Sequence, residues 1–259
     1  MSPCRNLDFI WLLEMSIAFY CINLKERRDR RRKAAHLFKR LGIPVHWWTV
    51  DRHPEGGRYG CFESHVQIWS RSKAQMTVVF EDDVEFYSSK EKFWQLLHEG
   101  VGLSDRYDTV HLGQIPVSRG RCVSKHYTEG TFVTLSCYLA RTEKLRSLIP
   151  QVLPYYGMHI DTVLSLCSRQ VGLNTWGLLF DQNFSDSNNP WTDNLPLISL
   201  MNVDDKFRNM LHDNREVFLR APSWLWSILF RVMLGVGVIQ SGLVNGFYRR
   251  TSEFKDRRV

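Results

Sequence analysis

Short apolar runs alternate with amphipathic stretches over the first third of the 259-residue chain. Apolar residues at helical spacing predict a helix over 27–41, which Gly42 would end, and Ser64 can cap a second helix that runs to about Lys73. The apolar stripe of the first helix consists of Ala34, Ala35, Leu37, Phe38 and Leu41. Three β-rich runs predict strands: 17–24 (IAFYCINL), 43–50 (IPVHWWTV) and 77–80 (TVVF), of which the first and third are expected to be buried.

This alternation of strands and helices predicts an α/β fold whose sheet is mostly parallel and carries helices on both faces. In such sheets, ligands bind outside the carboxyl ends of the strands. The second half of the chain has both kinds of pattern, which makes the expected sheet a mixed, Rossmann-like one flanked by helices. Its predicted elements are helices near 90–98, 142–149 and 159–169, and strands near 107–112, 131–140 and 174–180.

The composition, 44% hydrophobic and 24% charged, is that of a folded globular chain. We expect one main domain over 17–214, preceded by an extension over 1–16 and followed by a tail over 215–259. The six cysteines show no C-x-x-C spacing, so reduced thiols in the core are expected rather than a zinc ribbon or a disulfide framework. Asp8 and Glu14 interrupt the first apolar stretch, which argues against a secretion signal.

The formal net charge of +7 is concentrated in two segments. Residues 25–40 hold nine basic and two acidic side chains, and residues 215–259 hold eight basic and three acidic ones. Two local features on a mildly acidic body do not indicate a face that coats nucleic acid. They indicate two separate anionic partners, or one partner and one solvated helix.

The acidic triplet Glu81-Asp82-Asp83 follows the third predicted strand directly. Adjacent carboxylates repel each other, and a divalent cation such as Mg²⁺ or Mn²⁺ would relieve that repulsion through oxygen ligands. Strand alternation would place Glu81 and Asp83 on one side and Asp82 on the other. The alternative is a solvated acidic turn or a helix N-terminus without a metal.

A second polar group lies where the first strand passes into the first helix. Asn23 and Arg27 stand at a helix N-terminus, a place that attracts phosphate, and we favour a ligand-binding role for both. Arg28, Arg31 and Arg32 are interpreted instead as a solvated basic helix face.

The segment 60–69 (GCFESHVQIW) contains Ser64 and His65 side by side. Adjacent residues rarely face each other, and no Gly-x-Ser-x-Gly elbow surrounds the serine, so a nucleophile–base pair is not favoured. We expect Ser64 to cap its helix and His65 either to pack in the core or to contact a ligand.

These segments, taken in order, resemble glycosyltransferase family 25, which includes lipooligosaccharide galactosyltransferases and the collagen galactosyltransferase domain. The resemblance covers about residues 17–190 and rests on ordered motifs rather than on one signature. The matching pieces are Asn23-Leu24 with Arg27 and Arg30, Gly60-Cys61 with Ser64-His65 and Trp69, Val79–Val84, Thr134–Ala140, His159–Asp161, and Gln182 with Ser185-Asp186. The chain departs from the family at Ala140 and Arg141, where serine and alanine are usual.

The resemblance implies a GT-A fold, a nucleotide-sugar donor such as a UDP-sugar, a divalent metal and inverting transfer of galactose or a related sugar. Glu81 and Asp83 are the expected metal ligands. Asp161 is the expected general base, with Asp186 as the second choice. The expected donor-binding residues are Asn23, Leu24, Arg27, Arg30, Ser64, His65 and Asp82.

The segment 222–247 is apolar at helical spacing, with Arg231 near its middle and basic residues after it. Arg231 disfavours a membrane span, and an interfacial helix on anionic lipid fits better, although a helix docked on the main domain explains the pattern equally well. We therefore expect a cytoplasmic enzyme that transfers a hexose to a hydroxyl acceptor, with peripheral membrane attachment as an option. The rival interpretations are a membrane-associated binding protein of the same fold without turnover, and a basic nucleic-acid-binding module.

Overall fold

The computed structural model describes residues 16–86, 88–116, 121–173 and 180–182. The first half of the chain forms β1 (Ile17–Leu24), α1 (Arg28–Leu41), β2 (Val45–Val50), α2 (Gly57–Arg71), β3 (Met76–Glu81), β4 (Val84–Phe86) and α3 (Lys90–Leu103). The second half forms β5 (Thr109–Pro116), β6 (Arg121–Cys122), β7 (Tyr127–Gly130), β8 (Phe132–Arg141), α4 (Thr142–Val152), a 3₁₀ turn (Leu153–Tyr155), α5 (Ile160–Cys167), β9 (Gln170–Leu173) and β10 (Phe180–Gln182).

Eight of these strands form one sheet in the order β2-β1-β3-β8-β5-β9-β7-β6, and β4 pairs with β10 separately. Strand β1 lies between β2 and β3 and is parallel to both, whereas β8 runs antiparallel to β3 and β5. Strand β9 is parallel to β5, and β7 is antiparallel to β9 and β6. The predicted fold class, a Rossmann-like mixed sheet flanked by helices, is confirmed.

Helices cover both faces of the sheet and create two hydrophobic clusters. Helices α1 and α3 pack on one face, and α2, α4 and α5 pack on the other. Strand β3 separates the clusters residue by residue: Val78 and Phe80 belong to the first, whereas Val79 belongs to the second. Because both faces of β3 are covered, its residues are continuously buried until Glu81, and all but Thr77 of them are apolar.

The predicted element positions agree with the structure where the apolar pattern is strong. Strand β1 covers 17–24 as predicted, and α1 ends where Gly42 takes a left-handed conformation with φ of 70°. Helix α2, however, begins at Gly57 rather than at Ser64, so the glycine-rich segment is its first turn. The predicted serine cap is wrong, because the Ser64 hydroxyl donates to the Gly60 carbonyl inside the helix at 2.6 Å.

Part of the predicted organisation lies outside the described residues. This holds for residues 1–15 of the extension, for the tail over 215–259, for Asp186, and for residues 174–179 of the last predicted strand. Among the helices of the described ranges, none combines the length and the apolar character that crossing a membrane requires. The five cysteines in those ranges are free thiols.

Candidate active site

The polar groups singled out in the sequence meet where β1 and β3 end. These strands are parallel neighbours with Ile22 opposite Glu81, so Asn23 and Asp82 come next at the same edge of the sheet. Asp82 and Asp83 form the turn between β3 and β4, and each is 8% exposed. The two aspartates of the acidic triplet are therefore buried at the carboxyl end of a parallel strand, where α/β sheets bind ligands.

Arg30 joins the two aspartates of the turn. Its Nη1 lies 3.1 Å from Asp82 Oδ1 and 3.2 Å from Asp83 Oδ2. The three side chains are 10%, 9% and 6% exposed, so their charges are largely removed from water and depend on one another. The predicted alternation is wrong, because the strand ends at Glu81 and the two aspartates, now in a turn, face the same guanidinium.

Asn23 links the end of β1 to this ion-pair group. Its side-chain amide donates to Asp82 Oδ2 at 2.6 Å and to the Arg27 carbonyl at 3.2 Å. The residue is 1% exposed, and its Oδ1 has no hydrogen-bond partner within the part of the chain that the structure describes. A buried amide oxygen is costly to leave without a donor or a cation, so Asn23 presents an open acceptor beside the carboxylates.

Glu81 faces a different set of side chains, on helix α2. The Cys61 thiol donates to Glu81 Oε1 over 3.8 Å, and His65 Nε2 lies 3.7 Å from the same oxygen. Burial, and then the negative charges of Asp161 and Asp82, raise the pKa of the Glu81 carboxyl to about 7. The acidic triplet is thus divided, with Glu81 toward α2 and the aspartates toward α1.

His65 is fully buried and is anchored by an aromatic pair. Its Nδ1 lies 2.9 Å from the Tyr138 hydroxyl, which also accepts a hydrogen bond from Trp69 Nε1 at 2.7 Å. Burial lowers the pKa of His65 to about 3, so the imidazole is neutral at neutral pH. The Nε2 atom has no hydrogen-bond partner among the described residues.

Asp161 lies far along the chain from Glu81 and Cys61 but interacts electrostatically with both. It lies in the first turn of α5, is 7% exposed, and accepts a hydrogen bond from the Thr162 amide at 2.6 Å. Its negative charge adds to burial in raising the pKa values of Glu81 and Cys61. The alternative role of a helix cap is wrong, because the N-cap residue is His159.

The other predicted site residues have local partners. The Leu24 carbonyl accepts from the Arg27 amide at 2.9 Å, just after β1. The Arg27 guanidinium pairs with Asp29, with contacts of 2.8 and 3.1 Å. Ser64 is buried inside α2 and bonds to its own helix. Asp186 lies outside the described residues.

Two features of the site also have signals in the sequence. Arg30 shares the helical stripe of Ala34 and Phe38, and a charged residue on a buried stripe must have a partner of opposite charge. Cys61 and His65 are four residues apart, which places them on one face of a helix. Tyr138 has no such signal, because only the pairing of β8 with β3 brings it to His65.

No family model and no curated protein matches the chain. Similar solved structures include a mannose-1-phosphate geranyltransferase from Thermus thermophilus, with 13% identity and a TM-score of 0.39 over 60% of this chain and 58% of that one. A glycosyltransferase involved in the glycosylation of the major capsid of PBCV-1 has 10% identity and a TM-score of 0.42, over 67% and 95% of the two chains. S. aureus TarS 1-349 in complex with UDP-GlcNAc has 7% identity and a TM-score of 0.40, over 70% and 62%. These likenesses are too distant to indicate an activity.

Proposed function

We propose that the chain is a glycosyltransferase that moves a hexose, galactose or glucose, from a UDP-sugar to a hydroxyl acceptor with inversion. One observation carries the proposal: Glu81, Asp82, Asp83, Asp161 and Arg30 converge at the carboxyl edge of β1 and β3. The motifs that supply them are those that resemble glycosyltransferase family 25. The acceptor would be a glycan, a lipid-linked saccharide as in lipopolysaccharide biosynthesis, or a protein side chain.

The residues of the cluster suit a hard divalent cation, Mn²⁺ or Mg²⁺. The carboxylates outnumber the single guanidinium, and the charges of Asp161 and Asp82 add to burial, the larger cause, in raising the pKa of Glu81. Asn23 Oδ1 is a further buried oxygen donor without a hydrogen-bond partner in the described ranges. Asp83 and Asp82 would hold the ion, since Glu81 faces Cys61 instead. When bound, the ion would neutralise the departing diphosphate.

The protein's own groups would complete the binding of the donor. Arg30 holds Asp82 and Asp83 in place by ion pairs of 3.1 and 3.2 Å, so the carboxylates are oriented before the nucleotide arrives. The first amides of α1 attract negative charge, and Arg27 stands at that helix start. On this proposal, the diphosphate would bind between the start of α1 and the acidic turn.

Asp161 would take the proton from the acceptor hydroxyl as that hydroxyl attacks the anomeric carbon. The hydrogen bond from the Thr162 amide fixes one of its carboxylate oxygens. Its burial beside Glu81 keeps bulk water away from the reacting centre. The assignment therefore requires that the acceptor enter from the α5 side of the cluster.

The test is a screen of UDP-sugars for transfer and slow hydrolysis, with and without Mn²⁺. We expect turnover of a UDP-hexose that EDTA abolishes, and a fall of about a hundredfold or more in Asp83→Asn and in Asp161→Asn, with melting temperatures nearly unchanged. Asp105→Asn is the matched control, because Asp105 is 67% exposed and precedes β5 at the opposite sheet edge. Donor binding without turnover would favour the non-catalytic interpretation, and full activity in EDTA would refute the metal.

We propose further that the basic tail over 215–259 attaches the chain to anionic membranes. The support is its sequence pattern, an apolar helical stretch followed by basic residues. Deleting residues 215–259 should reduce pelleting with anionic liposomes while transfer to a soluble acceptor continues. Loss of the folding transition in the truncated chain would show instead that the tail packs in the core.

A further inference from the structure

Cys61, His65 and Glu81 form a compact set of metal-binding side chains beside the acidic turn. Cys61 and His65 stand four residues apart on one face of α2, and the end of β3 places Glu81 opposite them. Glu81 Oε1 lies 3.8 Å from Cys61 Sγ and 3.7 Å from His65 Nε2. One ligand atom from each residue lies within 4.8 Å of the other two.

The imidazole of His65 is held on one side and open on the other. The Trp69 indole N–H can only donate, so the Tyr138 oxygen accepts a hydrogen bond from it at 2.7 Å. The same oxygen lies 2.9 Å from His65 Nδ1. The opposite nitrogen, Nε2, points toward Glu81, is fully buried, and has no hydrogen-bond partner in the described residues. Histidines that bind metals are held in this way, through the nitrogen that does not ligate.

We propose that Cys61, His65 and Glu81 bind a borderline transition-metal ion, of which Zn²⁺ is the type, through Sγ, Nε2 and a carboxylate oxygen. Bonds of about 2.0–2.3 Å at tetrahedral angles place ligand atoms about 3.3–3.6 Å apart. The two contacts to Glu81, at 3.8 and 3.7 Å, need to close by only a few tenths of an ångström, and Cys61 and His65, whose ligand atoms lie within 4.8 Å of each other, would have to approach further. Three protein ligands leave the fourth position for water or another small ligand. Binding displaces the thiol proton of Cys61 to solvent.

The electrostatics of the site favour such a cation. Burial, followed by the charges of Glu81 and Asp161, raises the pKa of the Cys61 thiol, and a bound dication would reverse this by stabilising the thiolate. His65 is already neutral, as ligation requires. The Glu81 side chain keeps 23% of its surface exposed, which provides a route for the ion.

This site is chemically different from the donor's cation site. Thiolate and imidazole favour Zn²⁺ or Co²⁺, whereas the oxygen ligands of Asp82 and Asp83 favour Mg²⁺ or Mn²⁺. The inference therefore goes beyond the proposed transferase activity and does not depend on it. A chain that turns over no donor would still bind cobalt here.

Cobalt(II) titration of the full chain tests the proposal, because a thiolate bound to cobalt gives a charge-transfer band in the near ultraviolet. We expect one equivalent of Co²⁺ to give that band together with the strong visible bands of a tetrahedral ion, and Zn²⁺ to remove both. Cys61→Ser should lose the charge-transfer band, and His65→Gln should bind cobalt about a hundredfold more weakly. Cys122→Ser, which changes an exposed thiol, should behave as the unaltered chain.

Two further measurements keep the test decisive if the Cys61 variant does not fold. Zn²⁺ should raise the melting temperature of the unaltered chain. In the spectroscopic assay, Mn²⁺ at the same concentration should not produce the charge-transfer band that Co²⁺ produces. Tyr138→Phe should weaken cobalt binding about tenfold, because the ring loses the group that orients it. An unaltered chain that shows only the weak bands of octahedral cobalt would overturn the proposal, as would a folded Cys61→Ser variant that keeps the full spectrum.

Discussion

Replacing Arg30 by methionine is the most informative test of how the acidic turn is stabilised. Arg30 makes ion pairs of 3.1 and 3.2 Å with Asp82 and Asp83, and all three side chains are at most 10% exposed. Removing the guanidinium takes its positive charge away from two buried carboxylates, and breaking a buried pair in this way costs about 3–5 kcal/mol. For a domain of this size, one kcal/mol shifts the melting temperature by about 2–4 °C, so we expect a fall of about 10 °C.

The assay is thermal unfolding followed by circular dichroism, with Arg32→Met as the matched control. Arg32 lies on the same helix, but it is exposed, so its replacement should change the melting temperature by no more than about 2 °C. Adding Mn²⁺ should restore part of the stability of Arg30→Met, since a cation would replace the missing positive charge. The metal should have less effect on the unaltered chain.

The dependence on pH separates charge from packing. If the loss comes from the negative charge that Arg30 no longer balances, the difference between Arg30→Met and the unaltered chain should shrink at acidic pH, where carboxylates become neutral. A difference of equal size at pH 7 and pH 4 would show that the methylene stem of Arg30 stabilises the fold by packing. A variant that melts with the unaltered chain at pH 7 would refute the reasoning altogether.

Two further predictions concern the scaffold around the site. Gly100→Ala should destabilise the chain by about 1–3 kcal/mol, because an added Cβ would lie 2.9–3.1 Å from Tyr127, Leu139 and Val110. Gly102→Ala on the same helix has open space and should stabilise the chain by about 0.5–1 kcal/mol. Urea unfolding measures both changes in stability, and equal effects of the two substitutions would contradict the close packing around Gly100. Burial raises the pKa of Glu99, but hydrogen bonds from His126 and Ser124 outweigh it and lower the pKa from 4.5 to about 2. A carboxyl group whose pKa is lowered in the folded state stabilises the fold above pH 4.5, and this stabilisation is lost as the pH falls through 2. Glu99→Gln should therefore cost at most about 3 kcal/mol at pH 7 and little at pH 2. A cost that stays constant over this range in unfolding experiments would exclude the charged form as its source.

Local periodicity was enough to predict most of the elements, because a strand or helix that buries one face shows that face in its sequence. Strand β1 needed only its apolar run, and α1 needed only its stripe and the glycine that ends it. The short strands β4, β6 and β7 have two to four residues each and too few positions to show a period. The start of α2 was missed because its first turn contains Gly57 and Gly60, residues that ordinarily indicate a loop.

The acidic triplet was also visible in the sequence, as carboxylates directly after a buried strand. The separation of Glu81 from Asp82 and Asp83 was not visible in the sequence, because the direction of each side chain depends on where the strand ends. Strand β3 ends at Glu81, so Asp82 and Asp83 leave the alternating pattern and meet Arg30. Alternation is a property of extended backbone and does not carry through a turn.

The partners of the site were decided by the tertiary structure. Which strands are neighbours depends on the whole sheet, and the order β1-β3-β8 is what brings Tyr138 to His65. The same packing carries Asp161, at the start of a helix far along the chain, to the edge where Glu81 ends its strand. The residues that can bind a cation or accept a proton can therefore be identified from the sequence. Which of them act together depends on contacts between distant segments, and those form only when both faces of the sheet are covered.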